Sequence, residues 1–244
     1  MSRVGAIVQA RMGSSRFPGK TLAGVGNTTL LETLLRRLSN AKSIDEVIVA
    51  TTTNPRDDCI FQLCQATGVL CFRGSEKNVL LRYIESARKF DIDDIVRVTA
   101  DNPLTDIELM DNLVDLHHKE KADYSYCERF PLGVATEVVR RNVLESFNQP
   151  YLNHKYQEHV TLFIADHVVS FKIARIINDQ ETSDHHNIRL TVDTIDDLKL
   201  IRCLADNFGD LSEVSTREVI RYLMAHPEVV RLNQNIMQKN PHGD

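Results

Sequence analysis

Residues 4–20 have the sequence VGAIVQARMGSSRFPGK, in which a short apolar run leads directly into a polar loop. The apolar run is predicted to form a buried first strand. Gly13 and Gly19 let the backbone of the loop approach a ligand closely, and Ser14 and Ser15 add hydroxyl donors. The loop is therefore suited to donate hydrogen bonds to an anion.

The same loop contains three cationic side chains, Arg11, Arg16 and Lys20. Clustered cations and inward-facing backbone N–H groups are the features of a polyphosphate cradle. We therefore predict that the loop binds a nucleoside triphosphate. The plainer alternative is a solvated loop with scattered basic residues, which this density of cations and glycines after a first strand makes less favourable.

A second alternative is the P-loop of ATPases and kinases, because the loop ends in Gly19-Lys20-Thr21. A P-loop has four residues between its first glycine and the Gly-Lys pair, whereas five residues separate Gly13 from Gly19 here. Pro18 also has no N–H group at a place where a P-loop uses backbone donors. We therefore discount this interpretation.

The composition predicts one globular domain that acts on small anions. A chain of 244 residues, 42% of them hydrophobic, can bury a full core. The net charge of -5 argues against nucleic acid or an anionic membrane as partner. Apolar runs are too short for a membrane span and the start of the chain lacks a signal-peptide pattern, so a cytoplasmic location is expected. The five cysteines form no Cys-x-x-Cys pair and are expected to be reduced.

Apolar runs and amphipathic segments alternate along the first half of the chain. This alternation predicts an α/β fold with a Rossmann-like, doubly wound, mostly parallel sheet, whose ligand site lies at the carboxyl ends of the strands. Strands are predicted at residues 4–10, 46–53, 69–72 and 94–99, and helices at residues 28–38, 55–67, 78–90 and 106–118.

The second half of the chain has longer polar connections. We predict an inserted β-rich arm at about residues 123–180 within a single domain of residues 1–232. The tail, residues 233–244, is expected to be poorly ordered. Strands are predicted at residues 122–126, 136–139, 168–177 and 189–192, and helices at residues 196–207 and 215–226.

Two aspartates are candidates for binding Mg²⁺, which takes one or two protein carboxylates in addition to phosphate oxygens. Asp101 and Asp193 each follow a predicted strand, and we expect both to be metal ligands. The alternative is that they cap the next helix, which we prefer for Asp106, Asp196 and Asp197.

The histidines give weaker signals. His159 is a candidate general base or acceptor contact, but a structural role is equally compatible with its sequence context. His185 and His186 are expected in a solvated loop rather than a zinc site, because adjacent side chains point apart. His117 and His118, at the end of a predicted helix, are expected to be surface residues that compensate the helix dipole.

Five motifs in order resemble the spore-coat-polysaccharide-biosynthesis F-like cytidylyltransferases, relatives of the enzymes that make CMP-activated 3-deoxy-octulosonate and CMP-sialic acid. The resemblance covers nearly the whole chain. The motifs are ARMGSSRFPGK at residues 10–20, FRGSE at 72–76 followed by Val79, Leu80 and Arg82, RVTADNPL at 97–104, EHVT at 158–161 and RLTVDT at 189–194.

The resemblance implies a nucleotide-diphospho-sugar transferase type of fold and transfer of CMP from CTP to an acidic sugar, with release of pyrophosphate, in surface polysaccharide biosynthesis. It also implies Mg²⁺ as cofactor, with Asp101 and Asp193 as its ligands, and a homodimer built partly through the arm. Glu137 and His159 are weaker candidates for acceptor contacts. The sequence departs from the family at Ala135, where an aspartate is usual. Nucleotide contacts are implied for Ala10, Arg11, Gly13, Ser14, Ser15, Arg16, Lys20, Arg73, Ser75 and Arg82, and direct catalytic roles for Arg11, Arg16, Lys20, Asp101 and Asp193.

Two other functions stay open from the sequence. A nucleotide-sugar-dependent glycosyltransferase also uses an α/β nucleotide fold, but would usually have an Asp-x-Asp motif, which is missing near Asp101. A non-catalytic nucleotide-binding subunit would keep the cationic loop without turnover, although the presence of both candidate metal aspartates disfavours it.

Overall fold

A computed structural model describes residues 2–179 and 188–238. Within these residues the main sheet has seven strands in the order β5-β4-β1-β6-β8-β7-β9, and a separate two-stranded hairpin pairs β2 with β3. The strands are β1 (Val4–Gln9), β2 (Gly24–Val25), β3 (Thr28–Thr29), β4 (Glu46–Thr52), β5 (Leu70–Gly74), β6 (Asp94–Thr99), β7 (Tyr124–Glu128), β8 (Glu137–Arg140) and β9 (Ile173–Ile177).

Helices connect the strands, and several begin with the capping residues that their sequences contain. Thr29 and Glu32 form a capping box at the first helix, and Thr194 and Asp197 form one at the eighth. Gly68, with φ of 74°, ends the second helix. The helices are α1 (Leu30–Leu38), α2 (Asp58–Thr67), α3 (Val79–Lys89), α4 (Ile107–Glu120), α5 (Arg141–Phe147), α6 (His154–Glu158), α7 (Leu162–Asp166), α8 (Ile195–Phe208), α9 (Thr216–Ala225) and α10 (Pro227–Val230).

Strand β1 lies in the middle of the parallel part of the sheet. It pairs in parallel with β4 on one side and with β6 on the other, and β4 pairs in parallel with β5. Strand β8 is antiparallel to both β6 and β7, while β9 is parallel to β7. The predicted α/β fold with a doubly wound, mostly parallel sheet is confirmed.

The core has an apolar layer on each face of the sheet. On β1, Ala6 and Val8 pack into one layer with residues of α1, α2 and α4, whereas Ile7 packs into the other with residues of α3 and α5. Successive strand residues point to opposite faces, so a continuous apolar strand is buried on both. A third apolar cluster joins α8 and α9 to the segment around Leu190.

The second half of the chain differs from prediction in three ways. The strands predicted within the arm, β7, β8 and β9, extend the main sheet. The strand predicted at residues 168–177 is shorter, because Val168–Ser170 forms a 3₁₀ turn before β9. The strand predicted at residues 189–192 is wrong, since Arg189 makes only an isolated bridge, to Leu132.

The close approach of two loops explains why residues 189–192 form no regular strand. Leu190 N donates to Leu132 O at 2.7 Å, and Val192 N donates to Asp101 O at 2.8 Å, so the segment bonds to two different loops. Gly133 has φ of 98°, and a Cβ atom there would collide with the backbone of Leu190 and Thr191. The arrangement places Asp193 beside the loop that follows β6.

The end of the chain is packed further than its composition indicates. The tail predicted to be poorly ordered begins at Asn233, yet this side chain is buried and hydrogen-bonded. Residues 239–244 lie outside the described residues, as do His185 and His186. Among the helices of residues 2–179 and 188–238, none is long and apolar enough to cross a membrane.

Candidate functional site

The carboxyl ends of β1 and β6 form the crevice in which the candidate site lies. These adjacent strands lead to the cationic loop and to Asp101 respectively, because the chain reverses its winding direction at β1. The cavity there has a volume of about 400 Å³. It is lined by Gln9, Arg11, Gly13, Ser14, Ser15, Arg16, Lys20, Thr21, Thr99, Ala100, Asp101, Glu158, His159 and Asp193.

Local hydrogen bonds fix the shape of the cationic loop. Asp57, which is buried, accepts from Met12 N at 2.7 Å and from the hydroxyl of Thr52. Gly19 N donates to Met12 O at 3.0 Å and has a φ of 77°, a conformation that favours glycine. Thr21 Oγ1 donates to Arg11 O at 2.9 Å. The loop is thus held from both ends.

Lys20 joins the two candidate metal aspartates. Its Nζ donates to Asp101 Oδ2 at 2.8 Å, to Asp193 Oδ1 at 2.8 Å and to Val192 O at 2.7 Å. An ammonium group has three donors, so these contacts satisfy it fully. The structure therefore brings together one cation from the first loop and two carboxylates from distant parts of the chain.

Asp193 is the most highly paired carboxylate of the cavity. Besides Lys20 on Oδ1, its Oδ2 is 2.7 Å from Arg16 Nη2 and 2.8 Å from Arg189 Nη2. Burial alone would raise the pKa of Asp193, but the hydrogen bond and charge of Lys20 and the charge of Arg16 outweigh it and lower the pKa below its ordinary value. The lowered pKa of Asp193 favours its ionised carboxylate.

Asp197 supports Asp193 from behind. Its Oδ2 accepts from the backbone N–H groups of Asp193 and Thr194, both at 2.9 Å, and its Oδ1 accepts from Arg189 Nε at 2.8 Å. Asp197 takes part in the capping box of α8, as a helix-capping role for it predicts. It also fixes the side chain of Arg189, which in turn contacts Asp193.

The donor set of the cavity fits a divalent cation. Asp101 and Asp193 already share one cationic group, the ammonium of Lys20, and carboxylate oxygens are the ligands that Mg²⁺ prefers. Within residues 2–179 and 188–238 there is no cluster of three or more His, Cys, Asp or Glu side chains suited to a metal. Two carboxylates are nevertheless enough for Mg²⁺ bound together with phosphate oxygens.

Arg11 and His159 also line the cavity, together with Glu158. Arg11 Nη2 donates to Glu158 Oε1 at 3.0 Å, which joins the cationic loop to the end of α6. His159 follows α6 directly and lines the cavity. Glu158 was part of a sequence motif but was not predicted as a contact of Arg11, because 147 residues separate them.

Four residues with implied nucleotide roles do not line the cavity. Ala10 is buried directly after β1. Arg73 donates to Thr52 O at 2.9 Å and pairs with Asp58 at 2.7 Å, and Ser75 Oγ accepts from the backbone N–H that precedes α3. These three residues shape the adjoining loops.

Arg82 is the fourth of these residues and is fully buried on α3. Its Nη1 donates to Ser75 O, and none of the described residues accepts from its Nε or Nη2. Burial lowers the pKa of Arg82, and the nearby charge of Arg11 lowers it further. The guanidinium therefore has unused donors close to the cavity.

Glu137 belongs to a network beside the cavity. It pairs with Arg97 Nη1 at 2.7 Å and accepts from the hydroxyls of Tyr124 and Thr161. Burial alone would lower the pKa of Arg97, but the negative charge of Glu137 outweighs burial and holds this pKa above its ordinary value. Burial and the charge of Glu137 also raise the pKa of Tyr124.

The prediction that His117 is a surface residue is wrong. It is fully buried, with Nδ1 2.8 Å from Ser125 Oγ, because it lies on the face of α4 that packs against β7. His118 is partly exposed and contacts Asp94 Oδ2 at 2.9 Å. Both lie near the start of β6, at the opposite end of this strand from the cavity.

Sequence reasoning also missed Arg189, Asp57 and Asn233 as residues that support the site. Arg189 was quoted only within a motif, and its spacing of four from Asp193 carries no meaning outside a helix. Asp57 and Asn233 stood in segments interpreted as a helix start and a tail. Only the tertiary contacts reveal their roles.

These contacts bring cations and carboxylates together at the switch point of a doubly wound sheet, where ligands bind in this type of fold, and the class of protein that they indicate is the nucleotidyltransferases. Comparison with known families identifies one family within this class. The chain belongs to the cytidylyltransferase family, whose sequence model matches residues 5–223. The predicted family resemblance is thereby confirmed.

Similar proteins agree with this family. The spore coat polysaccharide biosynthesis protein SpsF of Bacillus subtilis is 36% identical over 227 residues, which cover 91% of this chain and 94% of SpsF. A solved cytidylyltransferase from Leptospira borgpetersenii serovar Hardjo-bovis has 30% identity and a TM-score of 0.88, and the match covers 98% of this chain and 100% of that one.

A more distant solved structure shares the fold. The CMP:2-keto-3-deoxy-manno-octonic acid synthetase, solved in complex with CTP, has 17% identity and a TM-score of 0.66. The match covers 84% of this chain and 99% of the synthetase. At this level of identity the similarity establishes a common sheet and helix arrangement.

Proposed function

We propose that this protein transfers CMP from CTP to a small anionic acceptor, an acidic sugar or a related compound, and releases pyrophosphate. The observation that carries the proposal is the convergence of Arg16, Lys20, Asp101 and Asp193 in one cavity at the carboxyl ends of β1 and β6. Cations for phosphate oxygens and carboxylates for a metal then lie within hydrogen-bond distance of each other.

The residues of the cavity match the demands of the reaction. An acceptor oxygen attacks the α-phosphorus of CTP while the bond to pyrophosphate breaks, and the main requirements are alignment and charge neutralisation. Arg16 and Lys20 contribute positive charge for the leaving pyrophosphate. Ser14, Ser15 and the loop backbone add hydrogen-bond donors along the same wall of the cavity.

Asp101 and Asp193 are the residues that would hold Mg²⁺. When bound, the metal withdraws charge from the α-phosphate and lowers the pKa of a hydroxyl acceptor. The low pKa of Asp193 keeps its carboxylate available as a ligand. In this assignment Lys20 exchanges its contacts with the two carboxylates for contacts with the phosphate oxygens of CTP.

The part of the cavity lined by Glu158 and His159 is the proposed acceptor side. His159 lines it, and Arg11 faces it from the cationic loop, paired with Glu158. Arg11 attracts an anionic acceptor, while Glu137 contributes through its network with Arg97 and Tyr124. An acceptor that attacks through a carboxylate or phosphate oxygen needs no general base, so His159 then serves as a contact.

The biological setting is proposed from the similarity to SpsF, whose name places it in spore coat polysaccharide biosynthesis. We place this chain in surface polysaccharide biosynthesis and in the cytoplasm. A homodimer built partly through the arm is supported by two apolar side chains there, since Tyr151 is 99% exposed and Val169 is 96% exposed.

The experiment is an assay of pyrophosphate release with CTP, Mg²⁺ and a panel of acidic sugars. The proposal predicts release that depends on one class of acceptor, together with a CMP conjugate of equal amount detected by mass spectrometry. A non-catalytic nucleotide-binding subunit would instead show a CTP-induced rise in melting temperature and no pyrophosphate with any acceptor, and this result would refute transferase activity.

A further inference from the structure

Behind the cavity, the end of the chain contacts the residues that hold Asp193. The segment after α10, residues 231–238, lies beyond residues 5–223, to which the family model matches. Two of its side chains, Asn233 and Gln238, nevertheless reach the Arg189 and Asp197 pair. The segment therefore contributes side chains to the back of the site from beyond the residues that the family model matches.

Asn233 connects both members of that pair. Its Nδ2 donates to Asp197 Oδ1 at 2.9 Å and to Arg189 O at 3.0 Å, and the side chain is buried. Asp197 Oδ1 also accepts from Arg189 Nε, so Asn233 and the guanidinium share one carboxylate oxygen. The hydrogen bond to Asp197 Oδ1 fixes the plane of the Asp197 carboxylate. The hydrogen bond to Arg189 O fixes the backbone from which the Arg189 side chain extends.

Gln238 fixes the far end of Arg189. Its Oε1 accepts from Arg189 Nη1 at 2.7 Å. Arg189 Nε and Nη1 are thus paired with Asp197 and Gln238, which leaves Nη2 directed to Asp193 Oδ2 at 2.8 Å. The three hydrogen bonds use the planar geometry of guanidinium to set one orientation.

The two oxygens of Asp193 have different partners. Oδ2 is held by Arg189 and Arg16, so Oδ1 is the oxygen directed towards Lys20, the ammonium that also contacts Asp101. Partners behind a metal ligand determine its direction and hence the metal affinity.

We propose that Asn233 and Gln238 are positioning residues that act through Arg189 to orient Asp193 Oδ1 for the divalent cation. The inference rests on the proposed function, since it assumes that Asp193 binds the metal. It assigns a functional role to a segment at the end of the chain whose composition indicates only a polar tail.

The test compares alanine variants at these two positions with matched controls. Asn233→Ala and Gln238→Ala remove the contacts, whereas Asn235→Ala and Gln234→Ala change exposed residues of the same types in the same segment. The dissociation constant of Mn²⁺ with CTP present is measured from the electron paramagnetic resonance of free Mn²⁺, together with the melting temperature and the Mg²⁺ dependence of pyrophosphate release.

We expect Asn233→Ala to raise the dissociation constant of Mn²⁺ about tenfold, the lower end of the effect of removing residues that orient a metal ligand, because Asn233 acts on Asp193 through Arg189 and Asp197. Gln238→Ala removes one hydrogen bond to a charged group, and we expect an increase of about fivefold. Gln238→Glu keeps an acceptor for Arg189 and should restore the wild-type value. Both controls should match wild type.

A purely structural role gives a different pattern. Lower melting temperatures of Asn233→Ala and Gln238→Ala, with Mn²⁺ affinities equal to those of their controls, would overturn the proposal. If Asn233→Ala does not fold, Gln238→Ala decides, because its side chain is exposed and its removal leaves the core intact. Failure of wild type to bind Mn²⁺ with CTP and to release pyrophosphate would instead refute the proposed function.

Discussion

Replacement of Lys20 by alanine tests whether Asp101 and Asp193 form a site for a cation. The ammonium of Lys20 makes hydrogen bonds of 2.8 Å to both carboxylates and of 2.7 Å to Val192 O. The Lys20 and Asp193 side chains are each only 12% exposed, and that of Asp101 is 26% exposed. The variant therefore leaves two poorly solvated carboxylates without the cation that joins them.

The expected loss follows from these contacts. A hydrogen bond to a charged group contributes about 1.5–3 kcal/mol, and a buried acceptor left unpaired costs a similar amount. Asp193 keeps Arg16 and Arg189 as partners, so we expect a net loss of about 2–3 kcal/mol. For a chain of this size the melting temperature should fall by about 5–10 °C.

Mg²⁺ should reverse much of that loss, which makes the prediction specific. A ligand at a concentration of a hundred times its dissociation constant stabilises the folded state by about 2.7 kcal/mol. In Lys20→Ala the metal can occupy the position of the lost ammonium, whereas in wild type it must first displace Lys20. The rise in melting temperature with Mg²⁺ should therefore be larger for the variant than for wild type.

The assay is thermal unfolding with and without Mg²⁺ for wild type, Lys20→Ala and the control Lys199→Ala. Lys199 pairs with Asp196 at 2.7 Å on the surface, where such pairs contribute little. Lys199→Ala should have the melting temperature of wild type and the same change in melting temperature with Mg²⁺. Equal Mg²⁺ shifts for wild type and Lys20→Ala would refute the reasoning that the two aspartates share a cation site.

Two further predictions concern the substitution of individual carboxylates. Asp101→Asn and Asp193→Asn should each remove most turnover at all Mg²⁺ concentrations, whereas Asp196→Asn should not, and near-wild-type kcat in either of the first two would contradict their role as metal ligands. Burial alone would raise the pKa of Asp94, but the polar side chains of His117, Ser2 and His118 outweigh it and lower the pKa from 3.8 to about 2, with His118 Nε2 at 2.9 Å from Asp94 Oδ2. This contribution to stability is complete above about pH 4 and is lost as the pH falls through 2, with about 1 kcal/mol lost by pH 3. Asp94→Asn should therefore lose less free energy of unfolding between pH 6 and pH 3 than the control Asp93→Asn, and urea titrations that show equal losses would contradict this account.

The fold was predictable because local pattern and tertiary structure agree in the first half of the chain. The apolar run of β1 is buried on both faces, and its continuity in sequence already indicates this. Residues 189–192, Arg-Leu-Thr-Val, also contain β-branched and apolar side chains, but they meet two loops instead of a neighbouring strand. Periodicity reports the burial of a segment and contains no information about its hydrogen-bond partners.

The candidate site was predictable to the extent that its residues are clustered in sequence or follow strands. The cationic loop is one continuous stretch, and the ends of parallel strands meet at one edge of a sheet, which identified Asp101. Asp57 and Asn233 are distant in sequence from the groups that they hold, and Arg189 is four residues from Asp193 in a segment that is not a helix. Their types are common and their contacts depend on the tertiary fold, so the sequence alone gives no signal for them.

The most direct test of the central claim compares CTP, UTP and ATP as substrates with the acceptor that supports turnover. A pocket that recognises cytosine pairs with its N4 amino group and N3 acceptor, and uracil reverses both. Leaving such buried groups unpaired costs about 1–3 kcal/mol each, so kcat/KM for CTP should exceed that for UTP by at least about tenfold. Comparable values of kcat/KM with the three nucleotides would contradict CTP-dependent cytidylyl transfer by this protein.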